Sequence, residues 1–197
     1  MPRRGDAKLA LKDRARRVRL LLMDVDGVLT DGRIYYVPAG SPGPDTSVPQ
    51  LIETKSFNTR DGFGIHFAHT SGIRTGLISG RASPIVEYRA RELGIHFLRQ
   101  NFREKLAPYR EILKEAGVTD EEVCYIGDDL VDLPLLVRVG LAVGVADGHP
   151  LLRRYVHYVT RERGGHGAVR ETIELILASQ GKLQAIIEHF RGRGDQS

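Results

Sequence analysis

Short apolar runs that stop abruptly at polar or glycine residues recur along the chain. The first, 18–23, ends at Asp24, and others fall at 73–78, 95–98, 123–126, 141–145 and 155–159. Continuous apolar runs of this length are the pattern of strands buried on both faces of a parallel sheet. Between them, 83–93, 103–116 and 130–139 carry apolar residues at helical spacing, as with Leu106, Tyr109, Ile112 and Leu113. A last helix, 168–179, gathers Val169, Ile173, Ile176 and Leu177 on one face. Strands alternating with helices predict an α/β fold with a doubly wound, Rossmann-like parallel sheet, whose site lies outside the carboxyl ends of the strands.

Residues 32–57 break the alternation. Two short strands, 33–37 and 51–57, flank a loop holding Pro38, Pro42, Pro44 and Pro49, a composition that fits neither a helix nor a central strand. A β-hairpin flap with a long tip is expected. One helix and one strand fill the chain between Ser79 and Lys105, and the hairpin and a helix fill 31–73, so no cap domain is expected. The chain divides into a basic arm (1–17), the sheet domain (18–180) and a polar tail (181–197).

The 197 residues suffice for one domain with a real core, and 41% hydrophobic against 27% charged residues is the balance of a globular protein. No apolar stretch approaches the ~18 residues of a membrane span, so no membrane partner is expected. The single cysteine, Cys124, cannot form an internal disulfide or a cysteine-based zinc site, which makes the cytoplasm the default compartment. The net charge of +4 is concentrated in residues 1–19, where eight Lys/Arg face two Asp for a net of +6, leaving −2 for the remainder. A basic arm ahead of an acidic body could touch phosphates or acidic lipid but reads more simply as a solvated leader, and the acidic body argues against a nucleic-acid partner.

The strongest chemical signal is Asp24-Val-Asp26-Gly27 directly after a buried run. Two carboxylates one residue apart at a strand end can share a pocket, but their repulsion requires a cation or a proton between them; a surface Asx-turn is the bland alternative. A second cluster, Gly127-Asp128-Asp129-Leu-Val-Asp132, follows the run 123–126. Asp129 and Asp132 read equally as a helix cap and a first-turn acid, whereas Asp128 precedes the cap and sits at a strand end like Asp24. Together these carboxylates make an oxygen-rich site suited to octahedral Mg²⁺. Ser79 at another strand end offers a phosphate seat, and Lys105 a compact cation for phosphoryl oxygens, although singly they read as a cap and a solvated charge.

In this order the motifs resemble the haloacid dehalogenase superfamily of phosphohydrolases. Further stretches extend the likeness: Asp-Gly-Val-Leu-Thr-Asp-Gly at 26–32, Phe-Asn-Thr-Arg-Asp-Gly at 57–62, Ser-Gly-Arg at 79–81, 101–105, 127–132, 145–150, 158–160 and Gly-Gly-His-Gly-Ala-Val-Arg-Glu at 164–171. Together they resemble the 3-deoxy-D-manno-octulosonate 8-phosphate phosphatases over residues 18–183. The resemblance implies Asp24 as nucleophile and metal ligand, Asp26 as general acid/base and ligand through its carbonyl, and Asp128 as third ligand, with Asp129 and Asp132 supporting them. It assigns substrate contacts to Asn58, Thr59, Arg60, Asp61, Gly62, His66, Arg81, Arg89 and Lys105. It further implies Mg²⁺, a small sugar-acid phosphate as substrate, an aspartyl-phosphate intermediate and a homotetramer. Histidine stands at 66 and 166 where such proteins often carry arginine, and the hairpin tip 38–50 is longer. The alternatives are a sialic-acid-type 9-phosphate, a nucleic-acid-end or phosphoprotein phosphatase, or an inactive binding subunit. His66 and His69, three residues apart, read as helix-face histidines or, less simply, as a metal pair.

Overall fold

The computed structural model describes residues 4–39 and 51–192. Most of the Pro-rich hairpin tip, 40–50, therefore lies outside the described residues. The chain opens with helix α1 (Arg4–Arg17) and strand β1 (Leu20–Met23), followed by the hairpin strands β2 (Tyr35–Pro38) and β3 (Leu51–Thr54). Helix α2 (Thr59–Thr70), strand β4 (Arg74–Ile78), helix α3 (Pro84–Glu92), strand β5 (Phe97–Arg99) and helix α4 (Leu106–Ala116) come next. Strand β6 (Val123–Gly127), helix α5 (Leu133–Leu136), strands β7 (Leu141–Gly144) and β8 (Tyr158–Val159), and helices α6 (Ala168–Ser179) and α7 (Leu183–Gly192) complete it.

The six-stranded sheet has the order β5-β4-β1-β6-β7-β8, and every neighbouring pair is parallel. Alternation along β1 builds both faces of the core. Leu21 and Met23 pack with Ala15, Ile65, Ala68, Val86 and Ile173 from α1, α2, α3 and α6. Leu20 and Leu22 pack with Tyr109, Ile112, Leu135 and Leu136 from α4 and α5. With β4 on one side and β6 on the other, β1 lies where the winding of the sheet reverses, and the crevice beyond such a strand is where α/β folds place their sites. Register does the rest, since Met23 pairs with both Leu77 and Ile126, so Asp24, Ser79 and Asp128 all leave the sheet at one edge.

Three segments differ from the sequence expectation. The arm is not a solvated leader along its whole length: α1 turns Ala15 fully into the core, and Arg14 donates to the Gly140 carbonyl at 2.8 Å. The polar tail begins as α7, because Leu183, Ile186, Ile187 and Phe190 fall at helical spacing, with Leu183 and Ile186 packed against the core. The run 130–139 is a 3₁₀ turn, Leu130–Asp132, followed by the single turn of α5, with a proline at its start. Among the described residues, no helix is long and apolar enough to cross a membrane.

Candidate active site

Asp24 continues β1 by donating its N–H to the Ile126 carbonyl at 3.0 Å, which fixes its position against β6. Its Oδ1 accepts from the Val25 N–H at 2.7 Å, and its Oδ2 lies 2.9 Å from the Lys105 ammonium. Lys105 stands just before α4 and is buried, as is Asp132, whose Oδ1 accepts from Lys105 at 2.7 Å and from the Tyr125 hydroxyl at 2.7 Å. The ammonium donates again to the Tyr125 oxygen at 3.3 Å, so three N–H groups meet three acceptors. The other oxygen of Asp132 accepts the Asp128 and Asp129 N–H groups at 3.0 and 3.3 Å. Asp129 caps the turn that carries Asp132. Gly27 completes the loop at φ +90°, and a Cβ there would lie 2.1 Å from Asp128 Oδ2, so only glycine lets the two acidic loops meet.

Carboxylate oxygens of Asp24, Asp128 and Asp132 lie within 4.8 Å of one another. Three carboxylates against one ammonium leave two negative charges in a largely buried site. Burial pushes the Asp24 carboxyl up to about 6, a rise that Lys105 only partly offsets and Asp132 reinforces. Burial, with Asp24 and Asp132 beside it, pushes Asp128 up to about 8. Burial alone would lower the Lys105 ammonium, but Asp132 and Asp24 outweigh it and hold it above its ordinary value. The excess charge and the hard oxygen donors fit a divalent cation such as Mg²⁺. Asp132 already accepts four hydrogen bonds, so Asp24 and Asp128 are the side chains able to ligate, and Asp132 holds the ammonium and the Asp128 loop in place.

The remaining expected residues separate into groups. Ser79 is buried at the end of β4, and its hydroxyl accepts from the Arg81 N–H at 3.1 Å. Asp26 is paired through Oδ1 with Lys55, a lysine just beyond β3 whose side chain is wholly buried. Lys55 also lies 3.5 Å from Glu53, which pairs at 2.8 Å with Arg81. Burial pushes the Glu53 carboxyl up, yet the Arg81 hydrogen bond and the Lys55 charge outweigh it, and the net shift is downward. Asn58 caps α2 by accepting from the Arg60 N–H, and donates to the Gly165 carbonyl at 3.2 Å. Asp61 is fully buried and accepts from the Gly167 and Arg170 N–H groups, which ties α2 to the start of α6. Arg60 donates to the His166 carbonyl at 2.6 Å. Thr59 opens α2; Gly62 lies against Arg89, whose guanidinium would be 2.8 Å from a Cβ there. His66 lines a groove between α2 and α7 with Phe67, Lys182 and His189, which shares no lining residue with the acidic cluster. His69 accepts from or donates to Thr75 at 2.7 Å and stacks edge-on with His96, so it does not pair with His66 around a metal.

Sequence reasoning missed Tyr125 and Lys55. Tyr125 reads as one more apolar strand residue in 123–126, and Lys55 as one more polar residue at the end of an exposed hairpin. The alternation of β3 carries the only hint, because Lys55 shares the parity of Glu53.

Sheet order, strand-end carboxylates and buried lysine together define a haloacid dehalogenase-like hydrolase, and the pattern of that class matches residues 64–140. The 3-deoxy-D-manno-octulosonate 8-phosphate phosphatase KdsC of Yersinia pestis is 48% identical over 171 residues, 87% of this chain and 86% of that protein. The enzyme of that name from Moraxella catarrhalis, solved with magnesium, phosphate and KDO, superposes with a TM-score of 0.82 at 38% identity, covering 91% of this chain and 97% of that one. A cobalt-bound relative from Haemophilus influenzae gives 0.77 at 37% identity over 87% and 94% of the two chains. The chain belongs to the 3-deoxy-D-manno-octulosonate 8-phosphate phosphatase family.

The raised carboxyls fix the sign of a pH effect. A group whose folded value lies above its unfolded value of 3.8 stabilises the fold at low pH, and that contribution is lost as pH rises through about 6 for Asp24 and about 8 for Asp128. His69 acts oppositely, since its folded value of about 4 lies below 6.5 and it costs stability only at pH values under 6.5. Between about pH 6.5 and 8, metal-free protein should therefore lose about 1–2 kcal/mol of stability, and Mg²⁺ should restore it. Thermal melts in chelator and in Mg²⁺ measure this; a melting temperature that climbs across the window in chelator contradicts it.

Proposed function

We propose that the chain is a Mg²⁺-dependent phosphatase that hydrolyses 3-deoxy-D-manno-octulosonate 8-phosphate to the sugar acid and phosphate. The single observation that carries the chemistry is Asp24, a buried strand-end carboxylate held by Lys105 with Asp128 beside it. The names and bound ligands of the relatives support the substrate. Asp24 attacks phosphorus in line, the bond to the sugar oxygen breaks, and Asp26 gives that oxygen its proton. Asp26 then takes a proton from the water that attacks phosphorus, and the bond to Asp24 breaks, releasing phosphate. Lys105 offsets charge on the phosphoryl oxygens while remaining anchored on Asp132. Magnesium held by Asp24, Asp128 and the main-chain carbonyl of Asp26 would draw electron density from the phosphoryl oxygens. Ser79 seats the phosphate, and Arg81, paired with Glu53 of the hairpin, and Arg89, lying against Gly62 of α2, meet the sugar acid. The lone, buried Cys124 suits a reducing compartment, and we place the enzyme in the cytoplasm.

With no cap domain among the described residues, another surface must close the site. The hairpin exposes Tyr36, Val37, Leu51 and Ile52, each more than half exposed, which is costly for a free ribbon and fits association with further copies of the chain. We take the assembly to be a homotetramer with the hairpins together. Ile52→Lys should shift the mass in light scattering below that of the tetramer; a mass that is monomeric before substitution contradicts the assembly.

Asp24→Asn should abolish turnover, because a carboxamide is a poor nucleophile, and Asp128→Ala should raise the Mg²⁺ concentration needed for activity. Phosphate release from a panel of 3-deoxy-octulosonate 8-phosphate, a sialic-acid 9-phosphate, a 5′-phosphorylated oligonucleotide and a phosphopeptide tests both steps. The octulosonate ester should show the highest kcat/KM; an active Asp24→Asn protein, or a preference for a macromolecular ester, overturns the reading.

A further inference from the structure

Each of the two aspartates on the loop after β1 has its own buried lysine. Lys105 serves Asp24 and is used in the mechanism. Lys55 serves Asp26, and the mechanism as derived gives it no task. Its side chain is fully buried, and an ammonium removed from water is tolerated only when it is paired and hydrogen-bonded. Its partners are Asp26 Oδ1 and, at 3.5 Å, Glu53 Oε1, an oxygen with no hydrogen-bond donor of its own. Glu53 reaches on through Oε2 to Arg81 at 2.8 Å. A line of alternating charges thus runs from the loop after β4, through the hairpin, to Asp26.

Both side-chain contacts of Asp26 fall on the same oxygen. Lys55 and the Thr30 hydroxyl, at 3.4 Å, donate to Oδ1, so Oδ2 is left for proton transfer. An aspartate at a strand end has free rotation about two bonds, and proton transfer to a leaving oxygen requires one orientation of the carboxylate. Lys55 comes from a segment 29 residues further on, so its share in holding that orientation, added to the weaker local contact from Thr30, is present only while the hairpin is docked.

We propose that Lys55 is a positioning residue for proton transfer by Asp26, holding Oδ1 so that Oδ2 faces the leaving oxygen, and that it makes this step depend on docking of the hairpin. The proposal rests on the reading of Asp26 as the general acid. Esters of different leaving-group basicity separate the two. A sugar or alkyl oxygen must be protonated as it departs, whereas 4-nitrophenolate departs without help. The parameter kcat/KM reports steps up to the first phosphoryl transfer, so a slow second step does not mask the effect.

The experiment measures kcat/KM at saturating Mg²⁺ for 3-deoxy-octulosonate 8-phosphate, glycerol 1-phosphate and 4-nitrophenyl phosphate, in the wild type, Lys55→Met, Lys55→Arg and Asp26→Asn. Lys55→Met should lower the value for both alkyl esters by about 10²-fold more than for the aryl ester, a contrast shared with Asp26→Asn. Lys55→Arg should recover a large part of it, because a cationic donor remains. Activity on the aryl ester reports in the same protein that the variant is folded. An equal loss on all three esters would assign Lys55 to the fold and overturn the proposal. A loss confined to the octulosonate ester would make it a contact to the sugar, and would also overturn it. If Asp26→Asn itself shows no contrast, the reading of Asp26 fails and the proposal falls with it; contrast in Asp26→Asn without contrast in Lys55→Met rejects the proposal alone.

Discussion

The Lys105 ammonium, held between Asp24 and Asp132, is the contact on which the site depends. It ties together three elements at the sheet edge: the loop after β1, the start of α4 and the turn after β6. Removing a charge from water costs several kcal/mol unless it is repaid by close opposite charge and complete hydrogen bonding. Here Lys105 donates to Asp24, Asp132 and Tyr125, and Asp132 fills its remaining oxygen with the N–H groups of Asp128 and Asp129. Removing Lys105 leaves Asp24 and Asp132 buried without a cation, and removing either carboxylate leaves the ammonium with a single charged partner, so the arrangement acts as a unit.

That unit still carries an excess of negative charge. The fold therefore contains a site that is electrostatically strained without a cation, as the raised Asp24 and Asp128 carboxyls record. A phosphate ester brings further negative charge to the same edge, which a bound metal and the retained ammonium together make tolerable. The same logic explains the two lysines. Asp24 faces an ammonium that can also face the phosphoryl group, while Asp26 faces one buried on the hairpin side.

Those parts of the site set by local pattern were legible in the sequence. The run of Leu20 to Met23 stopping at Asp24, and that of Val123 to Ile126 stopping just before Gly127 and Asp128, mark strand ends, and parallel pairing brings such ends to one edge. Lys105 could be placed before a helix, but not its burial, because that depends on Tyr125 and Asp132 across the core. Lys55 was hidden for the same reason, its partner lying on another loop. Asp61, a carboxylate in a stretch resembling substrate contacts, holds the start of α6, a bond across more than a hundred residues that no local pattern announces. Helix α1 was obscured by its charge, since eight basic residues in 1–19 mask the small apolar stripe through Leu11 and Ala15. In α7 four apolar positions in a short polar segment gave the helix, and the eye is drawn to its charges instead.

Covalent, two-step transfer through Asp24 is the chemistry proposed for this site, and the steric course at phosphorus tests it directly. A phosphorothioate analogue of the substrate, made chiral at phosphorus with two oxygen isotopes and hydrolysed in water carrying the third, yields thiophosphate whose configuration can be determined. Two successive in-line displacements, the first by Asp24 and the second by water, predict net retention. Net inversion would mean that water attacks the ester in a single step, and would contradict the role given to Asp24.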